Sequence, residues 1–339
     1  MRRLVLLFDG TWNTRETRTN VQVFDELLAK VGPDGTEQKP CYIQGVGTSW
    51  DSRLTGGAFG RGLSQNIWQG YEWLCENHRQ DDEVFVFGFS RGAYSARSLV
   101  GFVRKCGLLR ECDPKMVRHA YRTLYRDRVI DPKNWVAEEF RRKHARADET
   151  PFHFVGVWDT VGALGVPVTG VPVPFGQDAY QWHDTQLSRI VRHAFHAVAI
   201  DEHRKDYNAT LWTGYSPAKT DTVEQRWFVG AHANVGGGYK DDPLRDVPLR
   251  WMQQKAAGCG LAFKSLAEVR ARPRKEDVRD SYREFMKGIY RWWKGGEEGR
   301  HYRTFGVGVC ETVDESVWEL YRSDPSYRPR ALRHLTPPA

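Results

Sequence analysis

Short runs of apolar residues, each ending at turn residues, recur along the chain, and amphipathic helical patterns lie between them. Such runs are typical of buried strands, and strands that alternate with helices form a mainly parallel sheet covered on both faces. The sequence therefore predicts an α/β fold with helices on both sides of a central sheet. The predicted strands are Leu4–Phe8, Cys41–Val46, Val84–Phe89, Phe152–Trp158, Ala194–Ile200 and Arg226–Val229.

Three stretches carry apolar residues at helical spacing. They are "TNVQVFDELLAKVG", "LSQNIWQGYEWLCENH" and "AYSARSLVGFVRKCG". Thr19 or Asn20 is predicted to cap the first of these helices, and Gly32 to end it. Two further helical and charged stretches, about 104–150 and 253–305, are predicted to be insertions in a single domain spanning residues 1–339.

Composition narrows the class of protein. The chain has 339 residues, of which 40% are hydrophobic and 13% aromatic, so it can bury a large core and is not expected to be disordered. Its net charge of +7 is mild, and the basic residues are mixed with acidic ones, which gives little support to a nucleic-acid partner. The six cysteines lack metal-binding spacing and are expected to be reduced thiols.

The first residues, "MRRLVLLFDG", resemble a signal peptide only briefly. Their apolar run, Leu4–Phe8, is shorter than the core of a signal peptide and ends at Asp9. No stretch is long and apolar enough to span a bilayer. We therefore expect the protein to be cytoplasmic as synthesised and, if it is exported, to leave by a route that needs no such signal.

The stretch "VFVFGFSRGAYSAR" is a strand that stops at a serine between two glycines and continues at once as a helix. A nucleophile that stands clear of a sheet needs such a tight turn, and Gly88 and Gly92 remove the side chains that would collide there. Ser90 is therefore the predicted nucleophile. The backbone N–H of Arg91, at the start of the helix, is a predicted donor to an oxyanion.

A serine hydroxyl needs a histidine base, and the histidine needs an acid to orient it. Asp159 directly follows a strongly apolar strand, in "FHFVGVWDTVGALG", and is the favoured acid. Asp201, after "HAVAI", is the alternative. The residues that follow it, 202–204, look more like a polar cluster that braces the edge of the sheet.

The favoured base is His232, in "RWFVGAHANVGGGY". It follows the last clear strand and enters the glycine-rich stretch 236–238, which lets the backbone turn back toward a serine on another strand. It also has the chain order of α/β-hydrolase triads, serine then acid then histidine. The alternative bases are His193, His196 and His203.

A second oxyanion donor is expected from the loop after another strand. The strand in "LVLLFDGTWN" stops at Asp9-Gly10-Thr11, and the N–H of Thr11 is the candidate. The alternative is that Asp9 and Thr11 only cap a turn. No cluster of His, Asp and Glu has the spacing of a metal site, so neither a metal nor another cofactor is expected.

Three further stretches have composition that bears on a substrate cleft. "GGAFGRGLS", residues 56–64, lacks the ending of a phosphate-binding loop and is interpreted as a helix-entry loop. Residues 162–176 are apolar and rich in Gly and Pro, and they are a candidate cleft wall. "SYREFMKGIYRWWKGG", residues 281–296, has the pattern of a basic amphipathic helix, which fits either a membrane surface or ordinary packing on the domain.

Together these residues resemble a known family. The segments that carry the resemblance are "FDGTWN", "GFSRGAYSARSLVGF", "VWDTVGALG", "AIDEHR", "WFVGAHANVGGGY", "VPLRWM" and, near the end, "DESVWELYRSDPSYRPRAL". They are similar to the hydrolase domain of unknown function 2235, which includes the catalytic domains of type VI secretion phospholipase effectors of the first class.

The resemblance implies an α/β-hydrolase core, a Ser-Asp-His triad at Ser90, Asp159 and His232, and hydrolysis of phospholipid acyl esters. It also raises an immunity or secretion partner and export by a signal-independent system, neither of which can be read from the residues themselves. One departure stands out, because the family commonly has Asp two residues after the histidine and this chain has Asn234.

The main hypothesis is a serine esterase that hydrolyses lipid acyl esters through an acyl-enzyme, of the phospholipase A type. Its expected partners are a phospholipid or another acyl ester and, at its periphery, a membrane surface. Two alternatives stay open. One is a soluble carboxylesterase or thioesterase without lipid preference, and the other is a hydrolase-like binding protein with weak or no turnover.

Overall fold

The computed structural model describes residues 1–10, 13, 17–45, 56–127, 129–162 and 186–338, and for 56–61 it describes the backbone alone. Within these residues, a central sheet of seven strands organises the molecule. Every neighbouring pair in the sheet is parallel, and the strand order is β2-β1-β3-β4-β5-β6-β7. The strands are β1 (Arg3–Phe8), β2 (Gln38–Ile43), β3 (Glu83–Phe89), β4 (Phe152–Trp158), β5 (Val191–Ala199), β6 (Thr222–Phe228) and β7 (Glu311–Val313).

All six predicted strands are present, with ends that differ by up to four residues. The largest shifts are at β2, which begins and ends three residues earlier than predicted, and at β6, which begins four residues earlier. The sequence pattern missed β7, a strand of three residues that pairs with β6 at the edge of the sheet. The mainly parallel α/β fold predicted from the sequence is confirmed.

Helices cover both faces of the sheet. They are α1 (Asn20–Leu27), α2 (Gly56–Asn77), α3 (Arg91–Cys106), α4 (Pro114–Ala120), α5 (Trp135–His144), α6 (His232–Gly236), α7 (Asp246–Gly258), α8 (Ser281–Glu284), α9 (Ile289–Trp293) and α10 (Glu315–Ser323).

Alternate residues of β1 show how the two layers form. Leu4 and Leu6 are fully buried in one cluster with side chains of α2 and α3, whereas Val5 and Leu7 are buried in a second cluster with side chains of α1 and α7. Successive side chains of a strand point to opposite faces, so a central strand covered on both sides must be apolar at every position. Five of the six residues of β1, Leu4–Phe8, meet that requirement, and the first, Arg3, is buried in ion pairs with Asp34 and Glu83.

The first helix is capped as predicted but ends early. The hydroxyl of Thr19 accepts a hydrogen bond from the N–H of Gln22, while α1 ends at Leu27 and not near Gly32. The chain leaves the helix because it pairs with another segment. Leu28 is extended and forms a bridge with Phe263, and the N–H of Ala29 donates to the carbonyl of Ala262.

Two predictions about loops and helices are wrong. Residues 56–64 are not a loop, because α2 begins at Gly56 and continues through them. Residues 281–296 do not form one helix, because α8 and α9 are separated by a break. The backbone there is left-handed at Met286 (φ 53°), Lys287 (φ 54°) and Gly288 (φ 87°), a conformation that no α-helix can contain.

The two predicted insertions are largely helical. The stretch about 104–150 contains α4, a π-helical turn at Tyr121–Tyr125 and α5, all placed between α3 and β4. The stretch about 253–305 contains the end of α7, then α8 and α9. The organisation as a single domain stays a prediction.

The carboxyl ends of the parallel strands bring the predicted site residues to one edge of the sheet. Asp9 follows β1, Ser90 follows β3, Asp159 follows β4, and His232 lies four residues past the end of β6. Because β1 and β4 are the two neighbours of β3, the segments that follow them flank Ser90. Ligands of open α/β sheets bind at this edge.

The turn between β3 and α3 depends on its two glycines. A Cβ atom on Gly88 would lie 2.7 Å from the backbone of Ala93, and one on Gly92 would lie 2.2 Å from the carbonyl oxygen of Phe8. Between them Ser90 has φ 59° and ψ −123°, a strained combination for a residue with a side chain. The structure thus supports the predicted tight turn and its reason for glycine.

We expect Gly92→Ala to lower the free energy of unfolding by at least about 3 kcal/mol, because the rigid backbone of β1 cannot move away from the new methyl group. Urea denaturation measures it. The control is Gly258→Ala, since a Cβ atom there meets nothing within 4 Å at the end of α7. That change should be neutral or stabilise by up to about 1 kcal/mol. Equal effects of the two substitutions would contradict the steric account.

Candidate active site

Three predicted residues meet in one hydrogen-bonded chain. The Nε2 atom of His232 lies 2.8 Å from the Oγ atom of Ser90, and its Nδ1 atom lies 2.5 Å from the Oδ2 atom of Asp159. The three side chains come from positions 90, 159 and 232, and all are buried. This is the arrangement in which a base contacts a nucleophile and an acid orients the base.

Asp159 is fixed from several sides. Asp159 is fully buried, and its Oδ1 atom accepts a hydrogen bond from the N–H of Ala199 at 2.9 Å. Arg303 donates to both carboxylate oxygens, from Nη1 to Oδ1 at 2.6 Å and from Nη2 to Oδ2 at 2.9 Å. No sequence pattern indicated Arg303, which lies 144 residues further along the chain.

The charge states favour a neutral base beside an ionised acid. Burial opposes ionisation of Asp159, but the charge of Arg303 and the hydrogen bond from His232 outweigh it and hold the pKa of Asp159 well below its usual range. Burial also lowers the pKa of His232, although Asp159 acts in the opposite direction. A neutral imidazole that donates from Nδ1 has a free acceptor at Nε2, which is what the hydroxyl of Ser90 requires.

The alternative acid is occupied elsewhere. Asp201 accepts the N–H of Gly230 at 2.8 Å and the hydroxyl of Tyr327 at 2.9 Å, and burial raises its pKa to about 6. The next residue, Glu202, is fully buried, pairs with Arg204, and accepts the backbone N–H of His232 at 3.2 Å. The polar cluster predicted at 202–204 therefore supports the loop that carries His232.

The alternative bases also have other partners. His196, on β5, accepts the N–H of Thr160 at 3.1 Å, and burial lowers its pKa to about 3. His203 contacts the carbonyl of His301 at 3.0 Å, and His193 lies 3.8 Å from Asp221. None of these contacts includes Ser90.

The loop after β1 lies against the serine. A Cβ atom on Gly10 would lie 3.3 Å from the Cβ atom of Ser90, and the N–H of Gly10 donates to the carboxylate of Asp9 at 2.6 Å. Asp9 also accepts the hydroxyls of Thr19 and Tyr42. Thr11, the predicted oxyanion donor of this loop, lies outside the described residues.

The backbone N–H of Arg91, the other predicted oxyanion donor, lies at the start of a helix, and its role stays a prediction. Arg91 is the first residue of α3, directly after Ser90, where the helix dipole carries partial positive charge. The predicted cleft wall, residues 162–176, lies outside the described residues from position 163 onward.

Asn234 uses both ends of its amide in hydrogen bonds. Its Oδ1 atom accepts the N–H groups of Ala231 and Arg279, while its Nδ2 atom donates to Asp242 Oδ2 at 3.0 Å. Burial raises the pKa of Asp242 to about 6. A second carboxylate at position 234 would face Asp242 without a donor between them.

Within the described parts of the chain, no group of three or more His, Cys, Asp or Glu residues could hold a metal ion. The six cysteines are all free. Among the described helices, none combines the length and the apolar character that a membrane crossing requires.

The parallel sheet, its two helical layers and the tight turn at Ser90 define an α/β-hydrolase-like fold. The model of the type VI secretion family "Phospholipase effector Tle1-like, catalytic domain" matches residues 2–255 of this chain. The chain belongs to that family.

Individual relatives are more distant. The "Uncharacterized protein YEL023C" of Saccharomyces cerevisiae is 28% identical in an alignment of 236 residues that covers 62% of this chain and 33% of that protein. The Tle1 effector bound to the VgrG spike from the type 6 secretion system is 18% identical, with a TM-score of 0.39, over 72% of this chain and 52% of that one. An uncharacterized protein from Pseudomonas aeruginosa is 15% identical, with a TM-score of 0.42, over 80% and 48%.

The chain thus spans a third of the length of the yeast relative and about half the length of the two solved proteins.

We expect Asn234→Asp to destabilise the protein increasingly as the pH rises above about 6, by about 1–3 kcal/mol at pH 8. Two facing carboxylates must share a proton, which raises their pKa in the folded state. The folded protein then binds more protons than the unfolded chain, so stability falls with rising pH.

Thermal unfolding at a series of pH values measures this effect. The matched control is the double variant Asn234→Asp with Asp242→Asn, which exchanges donor and acceptor and should recover most of the loss at high pH. A pH-independent loss in the single variant would contradict the shared-proton explanation.

Proposed function

We propose that this protein is a serine esterase that hydrolyses acyl esters of lipids, of the phospholipase A type. One observation carries the proposal, namely the continuous hydrogen bonding from the hydroxyl of Ser90 through the imidazole of His232 to the carboxylate of Asp159. Membership in the phospholipase effector family supports a lipid ester as the substrate.

The proposed reaction has two halves. Ser90 attacks the ester carbonyl while His232 takes the proton from its hydroxyl, and the imidazolium then gives that proton to the leaving alcohol. An acyl-enzyme remains, and water releases the fatty acid by the same steps. Asp159 stays ionised throughout, orienting the imidazole and stabilising its charged form.

The tetrahedral intermediate carries negative charge on the former carbonyl oxygen. We assign its stabilisation to the backbone N–H of Arg91, at the start of α3, and to that of Thr11 in the loop after β1. The position of Gly10 beside Ser90 supports a role for this loop. No metal or cofactor is assigned a role in the proposed reaction.

The family assignment also supports a secretion partner and export without a signal peptide. One similar solved structure is that of an effector bound to a VgrG spike. For this chain, delivery by a type VI apparatus is part of the proposal.

We expect Ser90→Ala to lower the hydrolysis of short acyl esters and of phospholipid vesicles by more than about 10³-fold, because no nucleophile remains. Release of fatty acid, followed by mass spectrometry, measures this for both substrates. The control is labelling with a fluorophosphonate, which reacts only with an activated serine. Equal rates for the native protein and the variant would overturn the proposal, and a native protein that is not labelled would favour a binding role.

A surface close to the site supports contact with lipid. Four apolar side chains of the 285–293 segment are exposed, among them Ile289 at 58% and Trp292 at 82%, with Met286 and Trp293 beside them. Ile289, Trp292 and Trp293 lie at positions i, i+3 and i+4 of α9 and so share one face of that short helix.

The 285–293 segment contacts the base His232 through the ring of Tyr207. The ring of Tyr207 lies 5.1 Å from that of His232, and the ring of Phe285 lies 5.8 Å from that of Tyr207. A lipid surface that receives the exposed apolar side chains would therefore lie near the ester-cleaving residues. We propose the segment as the membrane-contacting part of the protein.

Attraction to anionic headgroups is a minor part of this contact. Two basic side chains in or next to the segment pair with acids: Arg291 contacts Glu297 at 3.0 Å, and Lys294, one residue past the segment, contacts Asp206 at 2.9 Å. Burial of apolar surface is then the main driving force, so vesicle binding should respond weakly to salt.

We expect the double variant Ile289→Ser with Trp292→Ser to lower hydrolysis of vesicles by about tenfold, since it removes exposed surface that would be buried in the interface. Hydrolysis of a soluble short-chain ester should not change. The matched control is Trp135→Ser, because Trp135 is 74% exposed on α5 in the other helical stretch. Unchanged vesicle hydrolysis in the double variant would favour a soluble esterase without lipid preference.

A further inference from the structure

Arg303 makes more contacts with the candidate triad than a simple ion pair would require. Besides both oxygens of Asp159, it donates to the carbonyls of Ala199 at 2.7 Å and Tyr207 at 2.5 Å. Along the sequence, Ala199 precedes the polar cluster 202–204 and Tyr207 follows it. The ring of Tyr207 packs against His232. The guanidinium therefore links Asp159, the end of β5 at Ala199, and Tyr207, the residue that packs against the base His232.

The backbone that carries Arg303 is also anchored. His301 donates its N–H to the carbonyl of His203 at 2.9 Å, and the ring of His203 contacts the carbonyl of His301 at 3.0 Å. Two residues after Arg303, Phe305 packs in a cluster with Trp227 of β6. The side chain of Arg303 is only 1% exposed. Such a guanidinium has little freedom to move away from Asp159.

We propose that Arg303 is a positioning residue of the triad, which holds the carboxylate of Asp159 toward His232 and offsets its negative charge, so that the imidazole remains a neutral base in mildly acidic solution. The inference rests on the proposed role of His232 as the base. Arg303 lies beyond residues 2–255, the part of the chain that the family model matches.

The charges around His232 are balanced. Asp159 faces its ring and is paired with Arg303, while Glu202 faces its backbone N–H and is paired with Arg204 at 2.8 Å. Among the residues that the structure describes, the hydroxyl of Ser90 and the rings of Phe89 and Tyr207 also contact the imidazole.

This balance has a definite electrostatic consequence. An unpaired carboxylate beside a histidine stabilises the imidazolium and raises the pKa of the histidine. Where an arginine already neutralises that carboxylate, desolvation prevails and the pKa is lowered, which is the direction found for His232. Removal of Arg303 takes away a positive charge, so the Asp159–His232 pair would take up a proton at higher pH, whichever partner receives it.

The test compares Arg303→Met with Arg303→Lys by the pH dependence of kcat/KM on a soluble ester. In the native protein, activity should fall only below about pH 6.5, the ordinary pKa of histidine. Arg303→Met should move this acidic limb up by about 1 pH unit or more. Arg303→Lys keeps the charge but not the two-pronged hydrogen bonding, so its limb should stay in place while kcat falls at least about tenfold.

The matched control is Arg141→Met. Arg141 is another buried arginine, which pairs with Asp148 at 2.8 Å and donates to two backbone carbonyls, in the stretch that contains α5. Its loss should lower the thermal stability and leave the acidic limb unchanged. A merely structural role for Arg303 would give the same result as this control.

Three results would overturn the proposal. They are an acidic limb of Arg303→Met at the native position, an Arg303→Lys variant with native kcat, and an equal shift of the limb in both Arg303 variants. If Arg303→Met does not fold, the Lys variant still decides the positioning role.

An independent readout separates this inference from the proposed function. The imidazole of His232 can be titrated by nuclear magnetic resonance, with its signal assigned through His232→Gln. A higher pKa in Arg303→Met than in the native protein is expected even in a protein without esterase activity. A native protein that fluorophosphonate does not label would instead contradict the proposed function, whatever the titration of His232 shows.

Discussion

The ionised state of the Asp159 carboxylate is the condition on which the geometry of the site depends. If this buried group were protonated, it could not accept the Nδ1–H of His232 in the same way, and the imidazole would lose the partner that fixes its tautomer. A carboxylate without water stays charged only when a positive group and hydrogen-bond donors replace its hydration. Here Arg303 and the N–H of Ala199 supply that replacement.

The parts of the fold that could be predicted are those in which local pattern and burial agree. Strands such as β1 and β3 are apolar at nearly every position because both of their faces are covered, so they can be recognised without knowledge of their neighbours. The three residues of β7 (Glu311–Val313) carry no such pattern, because they form an edge. The early end of α1 depends on pairing with Phe263, which no local pattern contains.

The same distinction applies to the site. Ser90, Asp159 and His232 each follow a recognisable strand and stand near glycines or turn residues, so sequence alone could place them at one edge of the sheet. Arg303 lies in an irregular segment among many other arginines, and its partner is 144 residues away. The periodicity of 281–296 was misleading because apolar spacing does not reveal the left-handed residues that interrupt the helix.

Two buried arginine–carboxylate pairs, Arg303 with Asp159 and Arg204 with Glu202, lie beside one histidine. Such pairs often contribute little to stability, because desolvation of the charges offsets their attraction. Apolar side chains could hold the same loops together at no greater cost. Only charged groups, however, can keep Asp159 ionised while leaving His232 without an excess of nearby negative charge. If His232 acts as the proposed base, the position of Arg303 on the Asp159 carboxylate is better explained by the acid–base chemistry of the site than by the stability of the fold.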